Sequence, residues 1–222
     1  MKDIQTSAIF ESDSSLLFGY VSSFTYPWEA LSGIKEAVAR LVEEFKDDDR
    51  YYSPEEGVLI AKNAKLAPNV TITAPAFIDC EAELRPGAFL RGGTMVGKSS
   101  VVGNSCELKN CILFDCVTVP HFNYVGDSIL GYHAHMGAGA VTSNVKSDRT
   151  KVTVSHKGEK IETGLKKFGA ILGDYVEVGC NSVLNPGTIV GKRSNVYPLS
   201  SVRGTVPAES IFKAQGNIVK KF

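Results

Sequence analysis

Four histidines, His121, His133, His135 and His156, are the side chains best suited to move a proton near neutral pH. His121 stands apart by its surroundings. It lies in VPHFNYVGDS, between a proline, two aromatic residues and a glycine turn. That setting suits a general base. A run of cations follows it: Lys146, Arg149, Lys151, Lys157, Lys160, Lys166 and Lys167. Its simplest reading is a solvated face; its functional reading is neutralisation of phosphate on a substrate or cofactor. His133 and His135, one residue apart, would share a face if they stood on a strand, with His121 as a third metal ligand. This metal-dependent lyase reading is the lesser one, and no metal ligand is assigned. The cysteines, Cys80, Cys106, Cys111, Cys116 and Cys180, are odd in number and form no C-x-x-C pair. They read as small buried apolar residues in a reducing compartment.

Whatever positions His121 has a period of six. Ile60, Leu66, Ile72, Ile78, Leu84, Leu90, Val96, Val102 and Leu108 follow one another at that interval, and Phe114 continues them. Four residues after each comes a small or β-branched residue, among them Ala76, Ala82, Ala88, Thr94, Ser100 and Cys106. A helix of period 3.6 or a strand of period 2 cannot produce this. A fixed six-residue repeat specifies a parallel β-helix, with the aliphatic side chain inside and the small residue near a corner. Gly97 and Gly103, just after the aliphatic position, suit tight corner backbone. The register breaks after Phe114, resumes at Leu130 and Met136, and returns at Leu172, Val178, Leu184, Val190, Val196 and Val202.

Three segments follow. Residues 1–56 carry an amphipathic helix, with Pro27 in its first turn and Trp28, Leu31, Ile34, Val38, Leu41, Val42 and Phe45 on one face. It should stop at the acidic run Asp47 to Asp49. Residues 57–206 form the β-helix, with insertions near 115–128 and 145–170. The second of these alternates like a hairpin about Lys157 and Gly158. Residues 207–222 form a closing cap. The formal net charge is zero, from 24 basic and 24 acidic residues, so no whole-surface field for nucleic acid or anionic membrane is expected. The start of the chain lacks a basic segment followed by an apolar core, so a cytoplasmic location is expected.

The strings RPGAFLRGG, CELKN, HFNYVGDSILG and MGAGAVTSN occur in one order at compact spacing. Together they resemble the acetyltransferase half of the bifunctional glucosamine-1-phosphate N-acetyltransferase/N-acetylglucosamine-1-phosphate uridylyltransferase family. GAILGDYVEVGCNSVLNPGTIVGKRSNVYP resembles that family's final coils, and YPWEALSGIKEAV its linker helix. The insertion resembles the archaeal sugar-1-phosphate members.

The resemblance implies a left-handed β-helix, a homotrimer with active sites between subunits, and acetyl-CoA as co-substrate. The acceptor would be an amino-sugar phosphate or a nucleotide amino-sugar. His121 matches the family's base and Asn144 the asparagine beside the acetyl group. Lys109 and Tyr124 match contacts to the sugar phosphate. The accompanying arginine is Arg85 by motif or Arg91 by spacing. His135 stands where the family has a substrate-binding asparagine. Ala138 and Gly139 match backbone contacts along the cofactor, with N–H groups placed for an oxyanion. Arg149 and Lys151 are the best matches to the cofactor-side cation, and Cys180 and Pro198 replace a serine and an alanine beside the cofactor. No Gly-x-Gly-Thr-Arg loop occurs, so uridylyl transfer is not expected. The alternative to an enzyme is a non-catalytic trimeric partner of a separate nucleotidyltransferase. Trp28 and Leu31 hint at such a partner, because they need a surface to cover.

Overall fold

A computed structural model describes residues 1–221. In it the six-residue period becomes geometry. Each step supplies one short strand and one corner, and three steps close a turn of a parallel β-helix.

One strand from each turn stacks on each of three faces. The first face runs from Val58–Ala61 through Ala76–Ile78 and Thr94–Val96, and onward to Ala170–Leu172, Thr188–Val190 and Thr205–Val206. The second runs from Lys65–Leu66 through Val101–Asn104, Thr118–His121 and His135–Met136 to Ser210–Ala214. The third runs from Thr71–Ile72 through Phe89–Leu90 to Val141–Thr142, Val183–Leu184 and Ser201–Val202. The long strands Glu107–Leu113 and Tyr124–Leu130 bend across a corner and serve the third face and then the first.

The aliphatic series fills the interior. Leu84, Val102, Val119, Met136 and Val178 stack inside the second face, and Leu90, Leu108, Val125 and Leu184 inside the third, all buried. Burial of each such side chain contributes about 1.5–3 kcal/mol. At the corners backbone passes close to backbone. A Cβ on Gly103 would overlap the carbonyl of Pro120 in the next turn.

The break at 115–128 is not an insertion. The chain stays in the sheets there, with Thr118 beside Val101 and Glu107 beside Tyr124. Phe89 to Glu107 spans three six-residue steps, whereas Glu107 to Tyr124 and Tyr124 to Val141 are each one residue shorter. Two shortened turns therefore shift the phase of the sequence without any loop. At 145–170 the chain does leave the solenoid. Thr153–His156 pairs antiparallel with Glu159–Glu162 across a two-residue turn, Lys157 and Gly158, both at positive φ. The C-terminal boundary also moves. Ser210–Ala214 still belongs to the second face, and only Asn217–Lys220 reverses direction to pair antiparallel with it. At the other end, Tyr51–Tyr52 pairs antiparallel with Val58–Ala61.

The N-terminal residues wrap the solenoid. A 3-10 segment, Pro27–Gly33, leads into the α-helix Ile34–Phe45, which ends before the acidic run. The helix lies on the first face, against Ala76–Ile78, Thr94–Val96 and Glu107–Leu113. Trp28 and Leu31 are buried, and Trp28 stacks between Tyr26 and Phe168. The surface they need is the solenoid's own, which removes their hint of a partner protein. Further forward, Phe10 packs on Phe114 at 5.2 Å between ring centres. The buried Asp174 carboxylate accepts the N–H groups of Glu11 and Ser12 at 2.7 and 2.9 Å, and that of Tyr132 at 2.9 Å. No helix among the described residues is long and apolar enough to cross a membrane.

Candidate functional site

Two corners flank the third face, and the residues singled out above divide between them. At the corner leading to the first face, Lys109 and Asn110 follow Leu108, and Asn144 follows Val141–Thr142. The bend of Tyr124–Leu130 brings Asp127 to the same corner. Asp127 and Asn110 sit at φ +49 and +47, a region that Asp and Asn tolerate better than most residues. Asp127 is buried, and its carboxylate organises the corner. Oδ1 accepts Asn110 Nδ2 at 2.9 Å, Oδ2 accepts Asn144 Nδ2 at 2.5 Å, and Lys109 Nζ stands 4.0 Å from Oδ2. Asn144 Nδ2 also donates to the Tyr124 hydroxyl at 3.2 Å. Both amide hydrogens of Asn144 are thereby directed inward, and its carbonyl oxygen remains to accept from a ligand.

Arg91 and Lys109 line a cavity of about 470 Å³ together with Asn110, Asp127, Phe89 and Lys35. Arg91 is held by Glu107 at 2.8 Å. Arg85 pairs with Glu83 instead and does not line this cavity, so of the two arginines it is Arg91 that stands beside Lys109. Burial pushes the Lys109 ammonium below the usual lysine range; Asp127 opposes this, while Lys167 and Arg91 add to it. Burial, reinforced by Asp127, raises the Tyr124 phenol. Crowded, partly desolvated cations of this kind gain from an incoming anion.

The other corner joins the second face to the third and carries His121. Its side chain is exposed and makes no hydrogen bond to protein among the described residues. Its backbone is fixed on both sides. His121 N–H donates to Asn123 Oδ1 at 3.0 Å, and its carbonyl accepts Gly139 N–H at 2.9 Å. Buried Asn123 donates in turn to the carbonyls of Gly137 and Ala140. Gly139, at φ +71, is thus committed to His121, and the Ala138 N–H has no protein acceptor among the described residues. Of the two amides that the resemblance assigns to an oxyanion, Gly139 is occupied and Ala138 is not.

His135, Cys180 and Pro198 line a groove of about 520 Å³ on the second face and its corner, with Val178, Tyr197 and Ile211. His135 Nδ1 meets Thr118 Oγ1 at 2.5 Å. His135 is therefore on the side of the residues matched to the cofactor, away from the cavity of Lys109. Cys180 is exposed, against the expectation of buried cysteines, whereas Cys106 and Cys111 are buried. Arg149 and Lys151 are exposed in the segment leading to the hairpin, and the structure does not bring either to this groove.

His133 and His135 do not share a strand face. His133 sits in a corner at φ +56, stacked on Tyr175, while His135 is on a strand. No cluster of three His, Cys, Asp or Glu side chains among the described residues is arranged to hold a metal. The sequence reading missed Asp127 and Asn110. The signal for the first was present in the Tyr-x-Gly-Asp string; for the second, nothing in the six-residue pattern set it apart.

The family model described as GMPPB C-terminal domain matches residues 72–195. The bifunctional protein GlmU of Methanococcus vannielii is 31% identical over 207 residues, which is 92% of this chain and 50% of that protein. The bifunctional sugar-1-phosphate nucleotidylyltransferase/acetyltransferase of Sulfurisphaera tokodaii is 29% identical over 197 residues, 88% of this chain and 49% of that protein. The chain spans about half the length of these curated relatives. Among solved structures, the acetyltransferase domain of PglB from Neisseria gonorrhoeae aligns at 13% identity and a TM-score of 0.36, over 85% of this chain and 67% of that one.

Proposed function

The chain belongs to the family described as GMPPB C-terminal domain, and from that premise we propose that it is an acetyl-CoA-dependent N-acetyltransferase. Its acceptor is an amino-sugar phosphate or a nucleotide amino-sugar. The observation that carries this reading is the corner built on Asp127. Lys109, Asn144 and, through Asn144, Tyr124 converge on it, and Asp127 itself lines, with Lys109 and Arg91, a cavity that suits an anion. Asp174, the buried carboxylate of another corner, accepts only backbone N–H groups, whereas Asp127 gathers the side chains of Asn110, Asn144 and Lys109. The curated relatives with this coverage carry acetyltransferase or GlmU in their names, which agrees with the reading.

In the proposed reaction the neutral amine of the sugar attacks the thioester carbonyl of acetyl-CoA. The C–N bond forms, the C–S bond breaks, His121 takes the amine proton and the thiolate leaves. The Ala138 N–H is placed to stabilise the oxyanion. The groove containing Cys180 and Pro198 receives the pantetheine arm. His121 and the Asp127 corner stand at opposite edges of the third face, separated by a strand of roughly 10 Å at about 3.3 Å per residue. One chain thus presents the base on one edge and the phosphate cavity on the other. A cyclic trimer joins the edge of one subunit to the opposite edge of the next and completes the site three times.

The test is thiol release from acetyl-CoA with glucosamine 1-phosphate, galactosamine 1-phosphate and UDP-linked amino-sugars, with wild type beside His121→Ala. The expected result is turnover with one acceptor and a loss of about 10²–10⁴ in kcat/KM in the variant. Turnover indifferent to His121, or none with any acceptor, would refute the mechanism and favour the partner-protein reading.

A further inference from the structure

The N-terminal helix reaches the cavity that Arg91 and Lys109 line, through Lys35. We infer that Lys35 is a further phosphate-binding residue, so that the helical segment is part of the acceptor site and not only a cover for the solenoid. This deepens the function proposed above and rests on it for the identity of the acceptor.

Three observations place Lys35. The 3-10 segment that leads directly into the helix is pinned beside the cavity from within the site. Asn110 Nδ2, which donates to Asp127, lies 3.2 Å from the carbonyl of Leu31 and donates to it as well. The backbone approach is close. A Cβ added to Gly93, which follows Arg91 and Gly92, would stand 3.4 Å from Lys35 Cα. The charges around the cavity are also unequal. Of the three cations that line it, Arg91 is matched by Glu107 at 2.8 Å and Lys109 faces Asp127 at 4.0 Å. Lys35 has no carboxylate within ion-pair distance among the described residues. On the far side of Ala74 and Pro75 it borders a second groove containing Glu36 and Glu56, and it pairs with neither.

Lys35 is therefore the lining cation whose charge is not already answered by protein. A phosphate held by Arg91 and Lys109 would supply the missing partner, and an ammonium on a flexible four-carbon stem can close over it. An unphosphorylated amino-sugar offers Lys35 nothing.

The experiment compares wild type with Lys35→Gln and Lys35→Arg in steady-state kinetics. The acceptors are the active amino-sugar phosphate and the same sugar without phosphate, at low ionic strength, with Arg40→Gln on the same helix as a control. Loss of one charge-assisted contact predicts a rise of about tenfold in KM for the phosphorylated acceptor in Lys35→Gln. Recovery in Lys35→Arg and no rise for the unphosphorylated sugar are expected. A KM within twofold of wild type, or an equal rise for both sugars, overturns the inference. Should wild type acetylate no amino-sugar, the function above fails but this inference stays testable. Inorganic phosphate and UDP are then titrated by calorimetry. Weaker binding of either in Lys35→Gln supports a phosphate site and separates a monophosphate from a diphosphate ligand; equal binding in variant and wild type overturns it.

Discussion

Replacing Asp127 by Asn isolates the electrostatic role of the corner from its shape. The side chains are nearly isosteric, and Asn adopts the φ of +49 found there without added strain. What changes is the hydrogen bonding. Asp127 accepts one N–H from Asn110 and one from Asn144. An amide offers one acceptor oxygen and turns an N–H group toward the other donor, so at least one bond is lost and replaced by two opposed donors. A hydrogen bond to a charged group contributes about 1.5–3 kcal/mol. If the bond to Asn144 is the one lost, its carbonyl is no longer aimed outward, and kcat should fall by about 10- to 150-fold.

The missing charge acts in the opposite sense on affinity. A carboxylate 4.0 Å from Lys109 Nζ repels an incoming phosphate. At water-like screening a unit charge about 4 Å from the phosphate is worth about 1 kcal/mol, and less at longer range, so KM for the acceptor should fall by up to about fivefold. The thiol-release assay reads both constants, and circular dichroism reports whether the fold persists. Opposite movement of kcat and KM is the expected signature. A folded variant with kcat within threefold of wild type would refute the idea that Asp127 positions Asn144. A rise in KM would refute the repulsion.

Three further outcomes follow from packing and charge. Phe114→Ala removes the ring beneath Phe10 and Phe18, and should cost about 3–5 kcal/mol in urea denaturation, with the N-terminal wrap exchanging amide hydrogen early. Glu11 is held down to about 2 by Arg193 first and then Lys192. Its contribution is fully present above the ordinary glutamate value and is lost as pH falls toward 2. Because the side chain is about one-third exposed, that contribution is at most about 1 kcal/mol. Glu11→Gln should therefore melt earlier than wild type at pH 7 and together with it near pH 2; a constant difference across that window would count against the pairing. N-ethylmaleimide should label exposed Cys180 before buried Cys106 and Cys111, and coenzyme A should slow that labelling. Unprotected labelling would place the pantetheine arm elsewhere.

Much of this fold was legible because a solenoid writes its geometry into the sequence. Each interior position is repeated, so Leu84, Leu90 and Val96 announce three faces without any long-range inference. The shortened turns were not legible. A one-residue contraction at a corner looks, in sequence, like the start of a loop, and only the pairing of Glu107 with Tyr124 distinguishes the two. The placing of Arg85 and Arg91 had the same character: only the structure shows that Arg91, and not Arg85, shares a cavity with Lys109. His121, Lys109, Tyr124 and Asn144 were visible through motif strings. Asp127 stood in the Tyr-x-Gly-Asp string but was not selected, because a carboxylate among cations matters through whom it touches. The docking of Trp28 was likewise invisible: an apolar helix face announces that it needs a surface, not which one.

The two reversed strands have a consequence for how the molecule behaves in a crowd. A stack of parallel turns is an unfinished polymer. Its last turn offers the same template that its first turn would accept, so subunits could add head to tail without limit. Tyr51–Tyr52 at one end and Asn217–Lys220 at the other run against the stack and pair antiparallel with it. They act as chain terminators, each occupying a propagating edge with a strand of the wrong polarity. A chain trimmed of both would expose one more unpaired strand edge at each end of the stack, and head-to-tail association is the state to expect of it.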